Sequence, residues 1–305
     1  MEDNQKGIAL ALLTALISGV AVFVNGYAVK LADPVAYTLL KNAGALALLA
    51  AVAFAFADWR HFRSLSGRQW AMLALIGIVG GSIPFAMFFT GLSLGGPAVS
   101  SFIFRSLFIF AGVFGWLLLK EKPERRDAAA GFIMLAGNAL LVQGDLMFGT
   151  AQLLVLGATL LWALEYTISR KILSEVHPRA VMLCRMLFGS LVLVGFMAYE
   201  GSLGALLAAD ASVLQWLAVT SLLLCGFLVS WYTALKHLPV FRATAILALG
   251  GIVTSALDYS FLGRALSIQS ALGLTLLLIG AAIAAGVSGF ASALRRSKPS
   301  PGRVE

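Results

Sequence analysis

Residues 7–29 read GIALALLTALISGVAVFVNGYAV, an uncharged stretch held between Lys6 and Lys30. A bilayer core about 30 Å thick takes roughly 20 apolar residues wound as a helix, and this run meets that length. It exceeds a signal-peptide core and shows no A-x-A-like cleavage site before Lys30, so it reads as a spanning helix. Nine further windows follow at about 34–56, 69–92, 97–119, 127–143, 150–171, 179–199, 212–235, 239–262 and 267–290. Continuous apolar runs exclude a β-barrel, whose strands alternate polar and apolar residues over about ten positions. The composition, 60% hydrophobic and 12% charged against about 25% charged in soluble domains, leaves too few polar groups to clothe a surface in water. The fold class expected is therefore all-α integral membrane, with ten transmembrane helices and short connections.

Basic residues orient the helices, because cytoplasmic loops retain Lys and Arg. With the N-terminus inside, 17 of the 22 fall in inside segments, including Arg60, Arg63, Arg68, Lys120, Lys122, Arg125, Arg126, Arg170, Lys171 and Arg179. Lys30 and Arg264 fall outside, and Lys41, Arg105 and Arg185 lie within spans. Both termini are expected in the cytoplasm. The net charge of +8 is then a topological signal rather than a nucleic-acid footprint. Residues 291–305, with Pro299 and Pro301, read as a disordered basic tail. Cys184 and Cys225 lie in apolar runs without metal-ligand or paired spacing and read as small buried hydrophobes.

The chain also repeats itself. Pro34 and Lys41 match Pro178 and Arg185 at an offset of 144, while Pro97, Leu119, Gly131 and Gly144 match Pro239, Phe261, Gly273 and Gly286 at 142. Each unit holds five helices, about 7–143 and 150–290. An odd number sends the second copy into the membrane from the opposite side, giving inverted repeats of the kind that bind substrate near the midplane.

Phe114-Gly115-Trp116-Leu117-Leu118-Leu119-Lys120-Glu121, Gly131 through Gly137 and their echo at 261–286 resemble the drug/metabolite transporter superfamily, specifically its ten-helix proteins built from two EamA domains. The resemblance covers residues 7–290. It implies an inner-membrane exporter or exchanger of amino acids, metabolites or cations, driven by an ion or substrate gradient. The proline usual in the middle of helices 4 and 9 is absent, with Leu107 and Leu249 in those regions, and Gly263 stands where the second copy would match Glu121.

Charges inside spans are costly and mark candidate sites. At 1.5 Å per residue, Lys41 and Asp258 lie about 8–10 Å below the outer surface, and Glu165 and Arg185 lie at mirrored depth from the inner one. Two pairs, Lys41 with Asp258 and Glu165 with Arg185, would serve as alternating gates or proton-coupling sites, or would only neutralise buried charge and hold register. Arg105 lies near the midplane without an obvious anion at its depth, so its counter-ion is expected to be substrate, the alternatives being Glu165 or Asp258 across the cavity or outward snorkelling. Trp162 and Tyr166, four apart on one helix face, would line the cavity around Glu165, with Asn25, Tyr232 and Trp231 as further wall residues and Tyr259 beside Asp258. Tyr27, Trp59, Trp70 and Trp216 read as interfacial belt residues. Asn138 is expected to bond a neighbouring helix, and Pro84 to bend the third span.

Gly91-Leu92-Ser93-Leu94-Gly95 fits the G-x-S-x-G pattern but ends an apolar helix, on the opposite side from His61, His177 and His237. No H-E-x-x-H, Walker loop or metal cluster appears, so neither an enzyme nor any cofactor or metal is expected. The reading is a secondary transporter of a small amphiphilic metabolite such as an amino acid. Arg105 would hold an anionic group and Glu165 a cationic group or a proton. The partners expected are that solute, a coupled proton and membrane lipid, with no nucleic acid, in a monomer or homodimer. Uptake, cation or drug efflux by the same fold, a channel and an intramembrane enzyme are the alternatives.

Overall fold

The computed structural model describes residues 2–55, 62–95, 97–122, 124–141, 149–208, 210–262 and 267–286. Trp59, Arg60, His61, Gly144, Gly263, Arg264 and the 291–305 tail lie outside them. Thirteen α-helices run in order: α1 Glu2–Ala28, α2 Pro34–Ala55, α3 Gly67–Gly81, α4 Ile83–Gly95, α5 Pro97–Arg105, α6 Leu107–Leu119, α7 Arg125–Leu140, α8 Thr150–Ile172, α9 Pro178–Tyr199, α10 Ala211–His237, α11 Val240–Leu247, α12 Gly250–Leu262 and α13 Ile268–Ala285. Among the described residues there is no strand, and nine helical stretches are long and apolar enough to cross a membrane. The segment expected at 127–143 contributes the 16-residue α7, and 142–143 lie outside the described residues.

Helix starts follow local chemistry. Ser66 caps α3 by accepting from the Gln69 N–H while Gln69 returns a bond to the Ser66 N–H, and Asp210 caps α10 through the Val213 N–H. Leu65 and Ser66 thus end a loop and leave the apolar run after Gly67 free to wind.

Three expected spans are each two helices. The third breaks at Ser82, between α3 and α4. The cause is Pro84, whose ring nitrogen has no hydrogen to return to the Gly80 carbonyl four residues earlier. The fourth breaks at Ser106 and the ninth at Ala248–Leu249, positions that correspond at the 142 offset, and no proline stands at either break. In their place, three-residue turns carry the chain across: Ser106 N–H to Ile103 O, Ile109 N–H to Ser106 O, and Leu249 N–H to Ile246 O.

The two halves interlock. α1 packs along α10 and α12, as α8 packs along α3–α4 and α5–α6; α2 packs on α10 as α9 packs on α3. α2 with α9 and α7 with α13 are pairs that map onto themselves when the halves are exchanged, and the fourth span meets the ninth through α6 and α11. Small residues permit the closest approaches. A Cβ on Gly189 of α9 would lie 2.7 Å from the Gly81 Cα, and a Cβ on Gly137 or Gly273 would lie 2.7 Å from the other's carbonyl oxygen. Gly77 and Gly81 face α9, and Gly91 and Gly95 face α8, so both small-residue spacings serve packing within this chain.

Candidate functional site

Where the halves meet, a cavity of about 90 Å³ is lined by Ser18, Ala21 and Asn25 of α1, Lys41 of α2, Phe85, Phe88 and Phe89 of α4, Phe104 of α5, Trp162 and Tyr166 of α8, Arg185 of α9, and Thr220, Leu224 and Phe227 of α10. Pro84 starts a helix whose next turn places Phe85, Phe88 and Phe89 three and four residues apart, hence on one face. Around Trp162 these rings and Phe104 stand at centroid distances of 5.2, 5.3 and 5.4 Å for Phe85, Phe88 and Phe104. Trp162 and Tyr166 both line the cavity but belong to separate ring clusters. Trp162 joins the phenylalanines, and Tyr166 lies 4.5 Å from the Trp231 ring.

The broken third span determines the polar part of the site. Its two orphaned carbonyls find side-chain donors: Gly80 O accepts from Trp162 Nε1 at 3.1 Å and Arg185 Nη2 at 2.8 Å, and Gly81 O accepts from Asn42 Nδ2 at 2.8 Å. Arg185 also meets Glu165, with Nε 3.5 Å from Oε2 and both side chains essentially inaccessible. The other Glu165 oxygen accepts from Ser169 at 2.5 Å and from the Tyr232 hydroxyl at 2.6 Å. The expected Glu165–Arg185 pair is therefore present, and four helices converge on it: α3, α8, α9 and α10. Glu165 and Tyr232 stand behind Arg185 and do not line the cavity.

Lys41 differs from the expectation. Its ammonium lies over aromatic rings, 3.7 Å from the Phe89 centroid, 5.0 Å from Phe85 and 5.5 Å from Tyr37. Among the described residues no carboxylate pairs with it. The charge of Asp258 acts on Arg105, and the charge nearest in effect to Lys41 is Arg185, of its own sign. The reason is geometric: α12, which carries Asp258, packs against α1 rather than against α2.

Arg105 also takes another place. At the break between α5 and α6 its Nη2 donates to Gly251 O at 3.3 Å, at the start of α12. It lines a separate pocket of about 20 Å³ with Ser18, Gly19, Thr244, Gly250, Gly251 and Thr254, divided from the central cavity by Val22 and Phe104. The two breaks thus meet there, and a midplane arginine finds a backbone acceptor. Asn138, as expected, bonds a neighbouring helix by donating to Phe102 O, the carbonyl that Ser106 N–H gives up at the break. Tyr259 is 57% exposed and belongs to the perimeter, as do Tyr27 and Trp70.

Two polar clusters tie helices together, one beside the cavity and one apart from it. Toward the predicted outer side, the Tyr37 hydroxyl lies 2.7 Å from Asn25 Oδ1 and 3.0 Å from Thr220 Oγ1, tying α1, α2 and α10. Away from the cavity lining, toward the predicted inner side, Arg242 of α11 meets Glu124 at 2.6 Å and Asp127 at 3.3 Å, while Glu121 accepts from Val240 N–H and lies 3.7 Å from Arg170. Glu121, prominent in the sequence, thus caps α11 just after Pro239, where a helix N-terminus favours a carboxylate. Ser93 of the G-x-S-x-G match donates to Thr90 O within α4.

A family profile described as the EamA-like transporter family matches the chain twice, over residues 5–143 and 149–286. The chain belongs to the EamA-like transporter family. An uncharacterized transporter of Archaeoglobus fulgidus is 25% identical over 244 residues, 77% of this chain and 81% of its own length. An uncharacterized transporter in the cobO 3′ region of a Sinorhizobium species is 30% identical over 136 residues, 44% of this chain and 89% of its own length. A solved crystal structure superposes with a TM-score of 0.68 at 20% identity, covering 97% of this chain and 99% of that one, which shows a shared fold. The protein is therefore a multi-pass membrane transporter built from two copies of one helical unit.

Among cavity residues, sequence reasoning named Asn25, Lys41, Trp162, Tyr166 and Arg185 and missed the phenylalanines, Ala21 and Thr220. The available signal was the Phe85, Phe88, Phe89 spacing directly after Pro84, which marks one helix face turned inward.

Proposed function

We propose that this chain is a secondary active transporter that exports or exchanges a small amphiphilic metabolite across the inner membrane by alternating access. Its ten spans form two inverted five-helix repeats, about 7–143 and 150–290, with both termini in the cytoplasm. The positive-inside count supports the orientation, and the exchange symmetry of the helix contacts supports the inverted relation. The observation that carries the reading is the cavity between the halves, lined by two cations and a set of aromatic rings. It suits a solute with one charged end and one apolar end.

Alternating access then needs one end to open while the other stays shut. The Tyr37–Asn25–Thr220 cluster is the outer tie and the Arg242–Glu124–Asp127 cluster the inner one. Lys41 and Arg185 face the solute, Trp162 and Tyr166 wall it, and Glu165 is the place for a coupled proton. Protonating Glu165 would loosen Arg185 and so link a proton to the occupancy of the cavity.

Proteoliposomes loaded with a soluble metabolite extract and diluted into solute-free buffer test the reading. Mass spectrometry of the retained contents should show a few solutes lost only when the protein is present, with saturable rates. Uniform leakage of all small solutes would indicate a channel, and no selective loss would refute transport.

A further inference from the structure

The same 144-residue offset that relates Lys41 to Arg185 relates Ala21 to Glu165, since Ala28 and Ile172 end their helices and Pro34 and Pro178 begin the next at that spacing. In the second half the cation has its carboxylate, Glu165, at 3.5 Å. In the first half the cation faces a methyl group. Ala21 and Lys41 both line the cavity, and Lys41 rests on the rings of Phe89, Phe85 and Tyr37. We infer that the cavity takes a short organic monocarboxylate, whose carboxylate stands beside Lys41 and Ala21 in the role that Glu165 plays beside Arg185. This deepens the transporter reading and rests on it.

Charge and chemistry converge on that ligand. Lys41 and Arg185 stand 5.0 and 5.2 Å from the centre of the same ring, Phe85, so they share one chamber. With Glu165 ionised, the three groups leave one positive charge unbalanced in a water-poor interior, where a lone charge is costly. A monoanion offsets it and a zwitterion does not. An ammonium group would meet Lys41 and Arg185 at close quarters. The carboxylate nearest to it, Glu165, is already accepting from Ser169 and Tyr232 and pairing with Arg185. Arg185 Nη1 is fully enclosed and has no hydrogen-bond partner, which provides a second donor for the incoming anion. The rest of the lining, Phe85, Phe88, Phe89 and Phe227, suits an apolar body. The cavity, about 90 Å³, limits that body to a few carbons.

The test uses three matched probes on purified full-length protein: 3-methylbutanoate, valine and 2-methylpropylamine, which share one branched body and differ in charge. Each is titrated at neutral pH into wild type, Lys41→Gln, Lys41→Arg and Ala21→Glu, with thermal stabilisation as the readout. The acid should stabilise wild type at millimolar concentration, valine at least about tenfold more weakly, and the amine not at all. Lys41→Gln should weaken the acid about ten- to a hundredfold, the scale of one lost hydrogen bond to a charged group. Lys41→Arg should retain it. Ala21→Glu supplies the carboxylate within the chain, so it should abolish acid binding while leaving the protein folded, and it carries the test if Lys41→Gln does not fold.

Stronger stabilisation by valine or the amine than by the acid overturns the inference, as does unchanged acid binding in both Lys41→Gln and Ala21→Glu, or no stabilisation of wild type by any of the three. The two readings fail separately. Acid binding without selective loss from proteoliposomes would sink transport and leave the binding inference standing, whereas selective loss of amines alone, without acid binding, would do the reverse.

Discussion

Lys41 and Arg185 hold equivalent places in the two halves, seven residues after a helix-opening proline, yet one is surrounded by partners and the other by rings. Two differences produce this. The third span is broken by Pro84 and delivers the Gly80 carbonyl to Arg185, whereas α10, the third span of the second half, runs unbroken from Ala211 to His237 and keeps its carbonyls in the helix. In addition, Glu165 has Ala21 as its mate. A repeated backbone therefore carries an unrepeated charge pattern: the arginine is built into the structure and the lysine is left available to a solute.

The comparison can be broken by unfolding measurements in detergent. Arg185→Met leaves Glu165 as a buried charge without its cation and should cost about 3–5 kcal/mol, whereas Lys41→Met should cost less than about 1 kcal/mol, because it exchanges an uncompensated cation for an apolar chain. Equal costs would show that the two residues do the same work. A smaller effect is expected at Gly189, whose mate is the buried Ala45. Gly189→Ala would press a methyl group into the Gly81 backbone and should cost about 1–3 kcal/mol, while Gly195→Ala on the same helix meets open space and should be neutral or slightly stabilising.

Tyr37→Phe tests the outer tie. Its mate is Val181, which has no hydroxyl, so the asymmetry should appear as a loss of about 0.5–1.5 kcal/mol, read as a lower midpoint, for Tyr37→Phe alone. The smallest effect concerns pH at the inner tie. The hydrogen bond from Arg242, with help from the charges of Arg242 and Arg126, holds the Glu124 carboxyl below its ordinary range. A carboxylate with a depressed folded value contributes stability above its unfolded value of about 4.3, and that contribution disappears as pH falls through the folded value. Glu124→Gln should therefore lower stability slightly at pH 7 and leave it unchanged at pH values below the folded value, which flattens the acid side of the profile; the effect is small because the group is exposed.

Much of this was legible in residue order. Run length indicated membrane helices, and the matched Pro34/Lys41 and Pro178/Arg185 indicated two units. The Glu165–Arg185 pair followed from depth, because two long side chains at one level meet beside the Gly80 carbonyl of α3. Depth failed for Lys41 and Asp258, which lie at one level on helices that do not pack together. It failed also for Arg105, whose acceptor is the Gly251 carbonyl in the first turn of α12, beside a helix break at 248–249 that no proline announces.

The chain by itself determined what a bilayer demands: long apolar runs wound as helices, and where a proline must interrupt one. These are local or summed properties, decided by side-chain transfer and backbone hydrogen bonding one segment at a time. Only the tertiary structure decided which carbonyl the Pro84 break hands to Arg185, which rings receive Lys41, and that Ala21 faces a cation without a carboxylate. Those outcomes depend on which helices touch and at what rotation, and in lipid that is settled by close packing at positions such as Gly81, Gly189, Gly137 and Gly273, which hydropathy does not distinguish from any other apolar site.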